Sequence, residues 1–562
     1  MLHKFAFAFI FLSLLTLPEL FGQHDKLLSH YQDYHFSAAD TLRGSLRIER
    51  NCFDVLHYDL AFALKLDDQS ISGHNEILFE WLAASDKIQL DLFENMVIDS
   101  IIHEESPLKF ERIGNATFVT VPKFKIGSKN RLSIYYHGIP KQAVNPPWDG
   151  GFIWRTDELG NPWIAVSCEG IGASLWWPNK DHLSDEPDSM NINITVPSGL
   201  FAVCNGNLVN TTIMDEETCY HWEVGYPINN YNVTFNVGDY VHFSDVYTSE
   251  TEGNLACDYY VLNENLRKAK VHFKQVNGVL EAFEYYFGPY PFWDDGFALV
   301  ETPYLGMEHQ GAIAYGNGYQ RGYQGSMIPK DMDWDYIIVH EAGHEWWGNA
   351  VSVKDHADMW IHEGFTTYME ALYVEYHFGR AAVNTYLDLQ RPYIGNKQPI
   401  VGPKDVNFDD WKVSDHYYKG SMILHSLRTY LNDDKLWFDL LKAVYAEFKY
   451  KQTDTEALTT FINEYSKRDL QAFWEQYLFY PGIPTLEYYV QQKGNNLKVK
   501  YRMLADVESL VLPIGFGTAE NQTIYNCSKD WQEIKISGVT EDNFFVNTKD
   551  ILVKGKKLWE RP

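Results

Sequence analysis

A chain of 562 residues has room for about three domains. Its formal charge of −29 argues against a nucleic-acid binder and against a protein held by charge on an anionic membrane surface. Six cysteines are too few to build a disulfide scaffold.

Residues 1–22 read as a secretory signal: Lys4 is basic, 5–17 is apolar, and Gly22 closes a plausible cleavage site. The apolar stretch is too short for an ordinary spanning helix, and no later segment is apolar enough to be one. The expectation is a secreted or periplasmic protein with no integral membrane segment after signal removal. An uncleaved anchor is the alternative. Residues 23–44 are polar and are expected to form an irregular arm. From 45 to 245, stretches such as 56–62, 88–92 and 118–121 alternate apolar and polar residues between turns, which predicts a β domain. Cys204 and Cys219 flank an expected hairpin and are candidates to pair in an oxidising compartment, while Cys168 is equally readable as a free thiol.

The pattern then changes to long helical periods over 246–480. Thr453 and Glu456 have capping-box spacing and predict the start of a late helix. Pro481, Gly482 and Pro484 break the helical pattern. Alternation returns at 497–501 and 533–536, so 485–562 is expected to be a small β-sandwich. The fold class is therefore multidomain α+β.

The middle region carries the chemistry. His340 and His344 are four residues apart, so on a helix both imidazoles face one point. Asp333 is a candidate cap for that helix and Gly348 a candidate stop. Glu363 follows on a second helical pattern that runs to about Phe378 and is halted by Gly379. Two histidines and a glutamate make three ligands for a catalytic Zn²⁺, one per chain, with a fourth position open. Glu341 is offset by about 100° from His340, so it borders the metal as a general base without ligating it. Glu370, two turns beyond Glu363, is placed to accept the N–H of a ligand histidine. His356 and His362 read as ordinary histidines, since the ligand set is already complete.

These residues, with the strings 344–349 and 360–365, resemble the M1 aminopeptidases among the gluzincin metallopeptidases. Further segments match in the family's order: 286–292, Gly306-Met307-Glu308-His309, and Tyr417-Tyr418-Lys419-Gly420. The resemblance implies a thermolysin-like, mostly helical catalytic domain over 246–480. It implies Tyr417 as the donor that stabilises the oxyanion, and Gly306, Met307 and Glu308 as an edge strand that binds substrate. Glu308 and Glu169 would hold the free α-amino group of a peptide. At the edge strand the sequence departs from the family pattern: Leu305, Gly306 and His309 replace glycine, alanine and asparagine. Many M1 members carry a large C-terminal helical domain, and none is expected here. The implied activity is zinc-dependent removal of N-terminal residues from peptides. The alternatives are an epoxide hydrolase using the same metal site, or an inert peptide-binding pseudo-peptidase.

Overall fold

The computed structural model describes residues 34–562, so the expected signal at 1–22 lies outside the described residues. The segment expected to be an irregular arm is partly helical. Ser37 and Asp40 form a capping box that starts helix α1 (Ala38–Gly44). Two reciprocal cap bonds start this helix although no apolar run follows.

The N-terminal region is built on an eight-stranded sheet that includes Phe53–Lys65 and Ser70–Trp81. Along Phe53–Lys65, Phe53 and Val55 point inward, then Tyr58, Leu60, Phe62 and Leu64. The inward phase moves by one residue because the register shifts between Val55 and His57, as an extra residue in a bulge requires. A four-stranded sheet containing Pro162–Ser167 is joined to the larger one by a buried aromatic cluster. Within it, Trp176 lies 5.1 Å from Phe62 and 5.5 Å from Phe235, both edge-on. Pro162–Ser167 runs directly into the loop that carries Glu169.

Cys204 and Cys219 are free thiols. Cys204 ends a strand of the four-stranded sheet, whereas Cys219 lies in Glu217–Val224 of the eight-stranded sheet. The hairpin between them is Asn207–Ile213 with Glu217–Val224, so closeness in sequence does not make them cross-strand partners.

The next sheet has five strands: β1 (Tyr240–Ser249), β2 (Gly253–Leu262), β3 (Phe297–Glu301), β4 (Gly306–Met307) and β5 (Ile313–Tyr315). Their spatial order is β1-β2-β3-β5-β4, leaving the two-residue β4 at an edge. β1 crosses the boundary expected near residue 245, so the sheet of the middle region begins at Tyr240. Helix α2 (Tyr336–His344) packs on β4 and β5, α3 (Trp360–Phe378) packs on α2, and α4 (Asp415–Leu431) packs on α3.

Two capping expectations are corrected. Asp335, not Asp333, caps α2 and accepts from the backbone N–H groups of Ile337 and Ile338. Asp335 also receives His272, the Tyr315 hydroxyl and Asn317, and this buried network fixes the start of the helix. α2 ends at His344, with Gly348 at φ +124° in the turn beyond it. In the late helix Thr455–Ser466, Asp454 is the cap, accepting from Ala457 N at 2.8 Å, while Thr453 belongs to a short strand.

After Phe479 the chain forms two further β-sheets, of four and three strands. Tyr501 from one and Phe516 from the other lie 4.9 Å apart. The architecture is thus an N-terminal β-rich region, a helical middle region and C-terminal β-sheets. Among the described residues, no helix is long and apolar enough to cross a membrane.

Candidate metal centre

The helical repeat brings His340 Nε2 and His344 Nε2 to 3.2 Å from each other. Glu363, in the first turn of α3, places Oε2 at 3.5 Å from each of these nitrogens. All three side chains are buried, and Glu363 Oε2 has no hydrogen-bond partner. A buried carboxylate oxygen left unpaired is costly. Tetrahedral zinc with bonds of 2.0–2.2 Å needs donor atoms about 3.3–3.5 Å apart. The triangle's edges of 3.2, 3.5 and 3.5 Å come within about 0.1 Å of that range, so the residues fit the metal.

The far side of each imidazole fixes which nitrogen faces the centre. His340 Nδ1 donates to Glu370 Oε1 at 2.7 Å, and His344 Nδ1 donates to the Trp347 carbonyl at 2.9 Å. Both Nε2 lone pairs are thereby turned inward. Glu370 is held by the Tyr386 hydroxyl and by Gln390 Nε2 at 2.9 Å. Burial works against charge on His340, but Glu363 and Glu370 outweigh it and hold its pKa well above the usual imidazole value. His344 is raised by Glu363 and Glu308 against the same opposition from burial.

Glu341 faces the cleft from α2, and burial pushes its carboxyl up to about 7. The edge strand β4 crosses close to it: a methyl group at Gly306 would come within 2.6 Å of Glu341 Oε1 and 2.8 Å of Ile337 Cγ2. Met307 pairs with Ala314 in the neighbouring strand and also lines the cleft.

Tyr417 stands in the first turn of α4, its ring 5.9 Å from that of His340 and tilted by 22°. Its position depends on how closely α3 and α4 cross. A Cβ on Gly420 would lie 2.8 Å from Gly364 Cα, so two glycines let the backbones nearly touch.

Glu308 is buried and accepts from the Tyr231 hydroxyl at 3.0 Å, while Asn349 Nδ2 donates to its backbone carbonyl at 2.9 Å. Glu169, from the N-terminal region, joins it. One oxygen from each of Glu169, Glu308 and Glu363 lies within 4.8 Å of the others. Burial first, and then the neighbouring carboxylates, hold the Glu169 pKa well above its ordinary value. Crowding buried carboxylates in this way makes a seat for cationic groups. The cavity over these residues is about 800 Å³ and is rimmed by Trp148, Tyr323, Tyr393 and Trp411.

His362 Nε2 accepts from Val353 N at 3.0 Å and supports the turn before α3. His356 lines the cleft, and burial pushes its pKa down to about 3. Neither belongs to the metal-binding group. Sequence reasoning missed Tyr231, Tyr386 and Gln390, which hold carboxylates from distant segments. The only trace of the last two is their shared helix face, four residues apart.

The profile of the Peptidase family M1 domain matches residues 271–477, which contain both histidines, Glu341, Glu363 and Tyr417. That match spans a little over a third of the chain. Endoplasmic reticulum aminopeptidase 1 of Mus musculus is 26% identical over 350 residues, covering 58% of this chain and 35% of that protein. Tricorn protease-interacting factor F2 of Thermoplasma acidophilum is 24% identical over 461 residues, 79% of this chain and 55% of that protein. The chain thus spans between a third and just over half of these curated relatives. An M1 zinc metallopeptidase from Deinococcus radiodurans, solved with a Tyr-Ser-Ala substrate, shares the fold with a TM-score of 0.64 at 20% identity. That match covers 76% of this chain and 94% of the other. Both the M1 domain and this likeness agree with the architecture described above.

Proposed function

We propose that this protein is a zinc-dependent aminopeptidase that removes N-terminal residues from peptides. The observation that carries the reading is a metal-fitting triangle sharing one buried cleft with two further carboxylates, Glu308 and Glu169. His340, His344 and Glu363 would hold one Zn²⁺. When bound, zinc supplies Lewis acidity, polarising the scissile carbonyl and acidifying water.

The protein's own groups do the rest. Glu341, with a carboxyl tuned toward neutrality, accepts a proton from the attacking water and returns it to the leaving amine. The Tyr417 hydroxyl stays protonated, because burial and then the nearby carboxylates raise its pKa well above the ordinary value. It therefore donates a hydrogen bond to the developing oxyanion. Glu308 and Glu169 pair with the substrate's α-ammonium group, which is largely charged at neutral pH. An internal peptide bond offers no such charge and would leave these carboxylates buried and unmatched. β4 contributes edge-strand hydrogen bonding to the substrate backbone.

The test is Glu308→Gln. It should keep zinc by metal analysis and lose about 10²–10³ in kcat/KM on aminoacyl arylamides, the cost of unpairing a desolvated charge. Full activity of this variant on free-amine substrates would refute the assignment.

A further inference from the structure

The helix α1 lies far from the metal ligands in sequence, yet its last turn reaches two loops that line the cleft. Arg43 Nη2 donates to the carbonyl of Gly170, the residue after Glu169. The same guanidinium meets Asn407 in the catalytic region. With its amide oriented to suit both neighbours, Asn407 Oδ1 accepts from Arg43 Nε at 2.7 Å and Nη2 at 2.9 Å. Asn407 Nδ2 then donates to His356 Nε2 at 2.9 Å. His356, Asp409, Glu169 and Gly170 all face the cavity that contains the metal ligands.

The arm that presents Arg43 is firmly seated. Arg50 is fully buried, pairs with Asp91 at 2.7 Å and donates to the Arg43 carbonyl. Gln89 Nε2 donates to the Leu42 carbonyl at 3.0 Å, and His182 Nε2 bonds the Gly44 carbonyl at 3.0 Å. Gly44 is pressed on the 406–407 backbone so closely that a Cβ would lie 2.3 Å from Asn407 N. A planar, forked cation thus bridges the Glu169 loop to the adjoining 405–409 loop, with its own backbone anchored from behind.

We propose that Arg43 is a positioning residue for substrate: it ties the loop bearing Glu169 to the 405–409 loop, and so sets where the peptide's α-amino group is held. The proposal rests on the reading of Glu169 as an amine-binding carboxylate. Arg43 itself does not touch the reacting atoms. Losing it lets Glu169 drift from Glu308 while the metal, Glu341 and Tyr417 keep their own supports. The effect belongs to KM rather than kcat.

The experiment measures KM and kcat on an aminoacyl p-nitroanilide for the full chain, Arg43→Ala, Glu169→Gln and the double variant. Arg43→Ala should raise KM about tenfold, the scale of one lost charge-assisted hydrogen bond, with kcat within about twofold. In the Glu169→Gln background the same substitution should move KM by less than about twofold, because the two residues act as one unit. Asn407→Gly should reproduce the KM increase without touching the arm; Asn407 has φ +52°, which glycine adopts freely. An equal KM rise in both backgrounds, or a fall in kcat at unchanged KM, overturns the proposal. A Glu169→Gln enzyme with raised KM beside unaffected Arg43→Ala and Asn407→Gly enzymes also overturns it, and leaves the amine reading standing. A Glu169→Gln enzyme with ordinary KM removes the amine reading, and the proposal with it.

Discussion

Substituting Gly420 by alanine tests whether the crossing of α3 and α4 positions Tyr417. The added Cβ would sit 2.8 Å from Gly364 Cα. Carbon atoms rest about 3.5–4.0 Å apart, so the helices must part locally by roughly 0.7–1.2 Å. Overpacking of this kind costs about 1–3 kcal/mol, and alanine's helix preference over glycine returns about 1 kcal/mol. The net destabilisation is then only about 0–2 kcal/mol, and the protein should fold. Tyr417 lies one turn before Gly420 and moves with α4, whereas His340 and His344 stand on α2. A displacement of about 1 Å of a group aimed at the transition state costs about 10² in kcat. The assay is kcat on an aminoacyl arylamide, with zinc content and thermal unfolding measured on the same sample. Gly364→Ala should do the same from the other side, since its Cβ would lie 3.0 Å from Gly420 Cα. A folded, zinc-replete Gly420→Ala enzyme with kcat within about twofold of the parent would refute the reasoning, because 1 Å would then not matter.

Zinc binding at pH 7 should release protons, because His340 and His344 both titrate above the ordinary imidazole range in the metal-free protein. The release should shrink as pH rises through those raised values. Calorimetric titrations in buffers of different ionisation enthalpy read it directly, and identical heats in all buffers would contradict it. Glu370→Gln keeps an acceptor but removes the charge behind His340, so zinc affinity should fall about 10–100-fold in a chelator competition. Unchanged affinity would separate Glu370 from metal binding. Glu341→Gln should bind zinc normally and lose about 10²–10⁴ in kcat. Turnover at the parent rate would exclude it as the base.

The metal-fitting triangle was legible because a helix converts spacing into direction. His340, His344 and Glu341 follow from one turn of α2, and Glu370 follows from two turns beyond Glu363. The starts of helices were less legible, and for a specific reason. Asp333 and Asp335, or Thr453 and Asp454, are equivalent candidates by local chemistry. Tertiary partners such as His272 and Tyr315 select between them. Ser37 and Asp40 carried a capping signal, but without an apolar run it did not outweigh the polar composition around it. Tyr231 left no local trace, and Tyr386 and Gln390 only a shared helix face, since a hydroxyl or amide that supports a carboxylate is recruited by proximity in the fold. Gly306 and Gly420 showed themselves in sequence only as motif letters. The atoms they make room for belong to other helices.

Glu169, one of the two carboxylates proposed to hold the substrate's amine, comes from the N-terminal region, whereas His340, Glu341, His344 and Glu363 come from two later helices. Cutting and measuring are therefore separable inheritances. On the proposed reading, a descendant that remodelled only the turn after Ser167 would keep its scissors and blur its ruler, because Glu308 would stay as the one fixed mark. The reverse change, lengthening that turn, would shift the ruler's zero mark while the blades stayed where they are.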